Sequence, residues 1–258
     1  MFDRQLNKID GMIGDTKTIT QLLIHQELER LKADPRPKSL LPFGMKAFSQ
    51  NDEDGIIREI FNRIGTKTKT FVEIGTGQTE NNTLALLYDD WSGLWIDAEI
   101  LESRFPKLKI ITAFVTKANI NNILTKNMIT PDKEIDLLSI DIDGNDYHIF
   151  DAILCIKPRV VCIEYNAKLI PPIKWCMEYN ENYRWNGRDQ FGVSLKFLEL
   201  NLVKKKYRLV ACNITGVNAF FVRSDLVINK FLKPFTAENH YQPARYYLSG
   251  YLSGHPTN

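Results

Sequence analysis

Several things are scarce in this chain of 258 residues, and each scarcity removes a class of function. Four cysteines occur, Cys155, Cys162, Cys176 and Cys212, none in a CxxC pair and two of them inside apolar runs. That usage reads as reduced, buried thiols and points to a cytoplasmic protein. No run approaches the roughly 18 apolar residues of a spanning helix, and the opening MFDRQLNKID lacks an apolar signal core, so a soluble chain with no membrane contact is expected. An excess of one charge is also missing. With 33 basic against 31 acidic residues the net charge is +2, which excludes the broad basic field of a dedicated nucleic-acid binder. No internal repeat or low-complexity tract interrupts the chain, and the length suits one well-buried α/β domain.

What is present centres on FVEIGTGQ, Phe71 to Gln78, a short apolar strand running into an acid and two glycines. Gly75 and Gly77 permit a sharp turn and close approach of a ligand, and Glu73 offers a carboxylate. The third glycine of a dinucleotide fingerprint is absent, its position being Glu80, and no GKS or GKT follows the turn. A pyrophosphate would meet a carboxylate here. An adenosyl cofactor without phosphates, carrying a positive sulfonium, tolerates acids around such a turn.

The rest of the chain alternates helical and strand patterns. Apolar positions at Ile19, Leu22, Leu23, Leu28 and Leu31 predict an amphipathic helix over about 16–32, lying over the core or a partner; His25 within it reads as surface or packing. Pro35, Pro37 and Pro42 end it in a linker, giving a helical extension over 1–45 and a main domain over 46–258. FSQNDEDGIIREIFNRIG predicts a helix whose Ser49, Asn51 and Asp52 are N-caps, while Ser49, Gln50 and Asp52 are placed to roof a ligand beside the glycine turn. Leu84, Leu86 and Leu87 mark a helix through Tyr88. Strands follow at 92–100, ending in Asp97, at 108–115, within the stretch 134–150, where the strand's end carries Asp141, Asp143, Asn145 and Asp146, and at 158–167. Asp97 lies 20 residues beyond Gly77, where nucleotide-binding sheets hold a ribose hydroxyl. Continuous apolar strands alternating with helices imply a parallel sheet covered on both faces, with ligand beyond its carboxyl ends. There collect Asp141, Asp143, Asp146, Glu164 and Asn166. Residues 168–194 loosen into an aromatic and basic stretch read as an inserted lid, a helix follows through Leu195 to Leu202, and 207–225 reads as an antiparallel hairpin. The aromatic tail with Phe235, Tyr241, Tyr246, Tyr247 and Tyr251 is read as irregular, packing on the surface or on a second subunit, which admits a homodimer.

The glycine turn with its acid, the Asp97 strand end, DLLSIDIDGNDY, IEYNA and the final hairpin together resemble S-adenosylmethionine-dependent methyltransferases, particularly the FkbM-like group, over roughly Phe48 to Asp225. The resemblance implies a Rossmann-like class I methyltransferase fold, a seven-stranded mostly parallel sheet with an antiparallel C-terminal hairpin and helices on both faces. It also implies that Glu73, Gly75 and Gly77 contact the amino-acid end of S-adenosyl-L-methionine, with Gln50 at the roof. Asp97 would hold the ribose hydroxyls, Phe114 and Val115 would flank the adenine, and Asp141 would sit near the methionine portion.

Methyl transfer to an alcohol needs an aligned nucleophile and a proton acceptor, for which Asp143, Glu164 and His148 are candidates, with Asn166 beside them. Asp141, Asp143, Glu164 and Asn166 are also hard oxygen ligands on adjacent strand ends, a set suited to Mg²⁺. The same positions resemble the metal ligands of catechol-type and some sugar O-methyltransferases, with Asp141, Asp143 and Glu164 the carboxylates. For the acceptor, Lys168, Lys174, Arg184 and Arg188 suit an anionic group and Trp175, Tyr183 and Trp185 a sugar or base, unless the lid is an ordinary solvated loop. The expected substrate is a polar small molecule such as a nucleotide-linked or phosphorylated sugar, of the kind used in polysaccharide or natural-product biosynthesis. The alternatives are methylation of a nitrogen or a phosphate oxygen, and a non-catalytic cofactor-binding or scaffolding subunit.

Overall fold

The structure, a computed structural model, describes residues 2–77, 80–99, 102–127 and 134–251. Seven strands form one sheet: β1 (Thr70–Ile74), β2 (Ser92–Asp97), β3 (Leu108–Thr112), β4 (Glu134–Ile140), β5 (Lys157–Glu164), β6 (Tyr207–Cys212) and β7 (Asn218–Arg223). Their spatial order is β3-β2-β1-β4-β5-β7-β6. The first five pair in parallel. β7 is antiparallel to both β5 and β6, so it alone runs against the rest.

The sequence explains why both faces are covered. In β1, Val72 and Ile74 point to one apolar cluster and Phe71 to another; in β5, Val161 and Ile163 face the first while Val160 and Cys162 face the second. Strands apolar on both sides must be sandwiched. One face receives α4 (Ile120–Asn127), α5 (Asp146–Ala152) and α6 (Leu195–Leu202), through Ile120, Leu124, Ile149, Leu195 and Leu198. The other receives α2 (Glu53–Ile64), through Ile56, Ile57, Ile60 and Phe61, and the short α3 (Leu84–Tyr88). The mixed α/β architecture expected from the sequence, with its final hairpin, is what forms.

A buried ion pair fixes the amino-terminal edge of the sheet. Asp136 in β4 is fully buried, meets the Arg159 guanidinium of β5, and accepts backbone N–H bonds from Lys67, Thr68 and Lys69 at 2.9, 2.8 and 2.7 Å. One carboxylate thereby sets the chain direction into β1.

Four expectations are corrected. The first helix, α1, runs Phe2–Lys32 and so begins far before residue 16. Thr16, Thr18 and Thr20 return their hydroxyls to carbonyls four residues back, at 2.8, 3.0 and 2.8 Å, which lets a polar stretch stay helical. Strands β3 and β5 stop at Thr112 and Glu164, three residues short of Val115 and Ala167, because the next amides turn elsewhere: Asn166 N–H bonds Val193 of the lid at 2.8 Å. The tail is more regular than expected, with α7 (Ala237–His240) and a 3₁₀ turn at Tyr246–Tyr251. It packs on its own chain, Tyr241 donating to Ala167 O at 2.6 Å and Leu248 meeting Leu28 of α1 and Ile214.

Candidate functional site

The strand tips on the carboxyl edge carry the polar residues anticipated there, and their hydrogen bonds divide them into groups. After β1 the chain turns at Gly75 and Gly77, both left-handed, with φ of 78° and 62°. A side-chain carbon on Gly75 would lie 1.7 Å from the Asp141 carbonyl oxygen, whereas one on Gly77 would meet nothing closer than 3.5 Å. Gly75 is therefore demanded by the approach of β4, and Gly77 by conformation alone. The turn's amides close on Asp97: its Oδ2 accepts from Thr76 N at 2.8 Å and Gly77 N at 3.1 Å, while Oδ1 accepts from Glu99 N at 2.8 Å. A nest of backbone N–H groups that would suit a phosphate is thus filled by the chain's own carboxylate. Gln78 lies outside the described residues.

Glu73 lies under the turn, 2% exposed, on the α2 and α3 side of the sheet. It accepts from Asn82 N at 2.7 Å and from the Thr83 hydroxyl, which itself accepts from Trp95 Nε1 at 2.8 Å. Burial pushes its carboxyl up to about 7. Its oxygens hold the start of α3 in place.

Stretch 49–54 is read differently once folded. Asp52 occupies the N-cap of α2 without a capping bond, its Oδ1 accepting instead from Ile214 N at 3.1 Å. Asp54 Oδ2 gathers Ala47 N, Phe48 N, Ser49 N and the Ser49 hydroxyl within 2.8 Å. Glu53, fully buried, is held by Asn51 N and by the side-chain amides of Asn51, Asn213 and Asn218. Of the expected roof, Gln50 alone is exposed; its loop lies against the segment after the glycine turn, with Lys46 pairing Glu80 at 2.7 Å and Asn81 N bonding Phe48 O.

Asp141, Asp143 and Glu164 come together as the sequence suggests, each offering an oxygen within 4.8 Å of the others. Asp143 sits in a left-handed turn, φ 56°, closed by Asp146, which accepts from Ile142 N and Gly144 N at 2.8 Å. Burial raises Glu164 and Asp141 well above the carboxylate range, and the neighbouring acids raise them further. Glu164 Oε2 is buried with no hydrogen-bond partner. Three hard oxygens, one of them unmatched, fit a divalent cation of the Mg²⁺ or Ca²⁺ type.

Asn166 does not join them. It is 2% exposed, and its Nδ2 donates to Asp189 O at 2.7 Å and Phe191 O at 3.1 Å while Oδ1 accepts from Lys168 N, so it ties down the lid's base. His148 likewise serves the lid, its Nε2 lying 2.7 Å from Met177 O. Val115 is packed in the core. Phe114 stays half-buried at the β3 tip, and the Arg184 guanidinium of the lid lies over its ring at 3.6 Å. Tyr183 covers Gly144 so closely that a side-chain carbon there would sit 2.5 Å from the ring. The lid therefore bridges the β3 and β4 tips; Lys174, Arg184 and Arg188 are all exposed, with Arg184 engaged on the Phe114 ring.

Comparison of the chain with protein-family models and with curated proteins returns no match. The site stands on its geometry: acids of β2, β4 and β5 around a glycine turn, beneath an aromatic lid. Sequence reasoning missed Glu53 and Asn218. Asn218 opens the apolar run NAFFVR, where a polar residue reads as part of the turn.

Proposed function

We propose that the chain is an S-adenosylmethionine-dependent methyltransferase acting on an oxygen of a polar small molecule. The observation that carries this reading is the sheet of seven strands, five of them parallel and β7 reversed between β5 and β6, which agrees with the seven-stranded, mostly parallel sheet and antiparallel hairpin that the resemblance implied. The filled amide nest supports a donor without phosphates. Asp97 uses three acceptor positions on turn amides and keeps capacity on Oδ1 for a ribose hydroxyl. Phe114 offers a face to the adenine once Arg184 withdraws.

Bound S-adenosylmethionine supplies the electrophilic methyl group. The chain's own task is to hold the acceptor oxygen in line and take its proton. Glu164, at the tip of β5, and Asp143, exposed beside it, are placed for that proton, their oxygens lying within 4.8 Å of each other at the carboxyl edge. A cation held by Asp141, Asp143 and Glu164 would lower the pKa of an acceptor hydroxyl.

Calorimetry with S-adenosylmethionine tests the donor. Saturable binding is expected, weakened about tenfold or more in Asp97→Ala, the equivalent of losing one charge-assisted hydrogen bond. Absence of binding by the intact chain would overturn the reading. S-adenosylhomocysteine release across a panel of sugars and phosphorylated sugars then identifies the acceptor.

A further inference from the structure

The three carboxylates leave a hard cation under-coordinated, because such ions take about six oxygens or more. Among the described residues, six buried side-chain oxygens have no hydrogen-bond partner. Two of them, Glu164 Oε2 and Asn218 Oδ1, belong to residues facing each other across the antiparallel β5–β7 pair. Register partners project from the same face of a sheet with Cβ atoms about 5 Å apart. Asn218 is only 2% exposed.

The orientation of the Asn218 amide is fixed from behind. Its Nδ2 donates to Glu53 Oε1 at 3.1 Å, and Glu53 is itself immobilised by Asn213 Nδ2 at 2.7 Å and by Asn51 N at 2.9 Å. A flipped amide would set oxygen against a carboxylate, so Nδ2 stays on Glu53 and Oδ1 turns away from it. Asp143 and Asp146 bear on both Glu164 and Asp141, and Glu53 and Glu73 on Asp141. Among the described residues no ion pair with a basic side chain is formed by Asp141, Asp143 or Glu164.

We propose that Asn218 Oδ1 completes, with Asp141, Asp143 and Glu164, a four-oxygen site for a hard divalent cation, with Glu53 as the positioning residue behind it. The assignment rests on the cation reading given above, and it places Asn218 in the role that sequence reasoning assigned to Asn166.

Mn²⁺ is the probe, followed by paramagnetic resonance in the full chain without any methyl donor. One bound ion is expected in the wild type. Asn218→Ala should weaken it about tenfold or more, as loss of a ligand does, while Asn218→Asp, which keeps an oxygen for the ion and gives up the bond to Glu53, should bind more tightly than Asn218→Ala. A purely structural Asn218 predicts that Asp binds no better than Ala, since the bond to Glu53 is lost in both variants. Should the variants fold poorly, wild-type protein labelled with ¹³C at the asparagine Cγ gives a second readout. Manganese should then show a carbon coupling from a ligating amide. A wild type that binds no Mn²⁺, an Ala variant within threefold of it, or a labelled site without coupling overturns the proposal. Calorimetry with S-adenosylmethionine on the same samples separates the two ideas: Mn²⁺ uptake with no donor binding leaves this site standing and sinks the methyl-transfer reading.

Discussion

At position 75 the sequence shows a glycine and the structure shows why nothing else fits. Gly75→Ala must resolve a contact of 1.7 Å with a backbone oxygen and adopt a left-handed φ, so a loss of about 3–5 kcal/mol is expected. Gly77→Ala makes only an ordinary contact, 3.5 Å from Glu80 O, and carries the conformational cost alone, about 1–2 kcal/mol. Urea melts of the two variants decide between this account and one in which both glycines serve a ligand alone, for which both losses would be small. Glu73 supplies a pH test. Folded, it keeps its proton up to about pH 7, against 4.5 for an ordinary glutamate. The folded chain thus binds more protons than the unfolded one between those values, and stability falls as pH rises through that window, by about 3 kcal/mol. Asp52, raised by burial to about 7, adds a slope of the same sign. Glu73→Gln should flatten the wild-type decline between pH 4.5 and 7; an unchanged slope would show that the decline comes from other groups.

At the scale of elements, the lid and the edge of the sheet depend on single buried side chains. Asn166→Ala leaves the carbonyls of Asp189 and Phe191 without their donor, at a cost of about 1–3 kcal/mol localised to the lid. Trypsin should then cut faster at Lys174, Arg184 and Arg188 while the sheet stays protected from amide exchange. Loss of protection in β4 and β5 as well would mean that Asn166 supports the core. Asp136→Ala strands Arg159 and three backbone amides, and about 3–5 kcal/mol of global stability should go with it in denaturant melts. Elements with a strong apolar signal were legible in the sequence: β1, β2, β4, α6 and the hairpin all lie where periodicity put them. Helix α1 was only half legible. Gly11, Gly14 and three threonines weaken its intrinsic preference, and side-chain bonds to the preceding turn are invisible to a hydrophobic pattern. Strand ends were over-extended at Val115 and Ala167 because an apolar residue past a strand still scores as strand.

For the molecule as a whole, the carboxyl edge was foreseeable and its division of labour was not. Asp141, Asp143 and Glu164 meet because parallel strands deliver their tips to one edge, a rule readable from sequence. That Asn166 would serve the lid, and that Asn218 would lie opposite Glu164, depends on the pairing of β7 with β5, a contact across more than fifty residues. Ligand linkage gives a whole-chain test. S-adenosylmethionine at about a hundred times its dissociation constant should stabilise the fold by about 2.7 kcal/mol, a rise of a few degrees in melting temperature that Asp97→Ala should lose. An equal shift with ATP would count against a turn that excludes phosphates.

The reversed strand also governs how the protein is made. Among the strands of the described residues β7 is synthesised last, yet it lies inside the sheet between β5 and β6. Until residue 223 has left the ribosome, β5 keeps an open edge bearing Val160, Val161, Cys162 and Ile163. A nascent or prematurely terminated chain lacking β7 therefore presents a ready template for pairing with another chain. Chains broken off between the end of β5 at Glu164 and the end of β7 at Arg223 would therefore aggregate rather than yield a smaller working protein, and the need for a chaperone is greatest over that interval of synthesis.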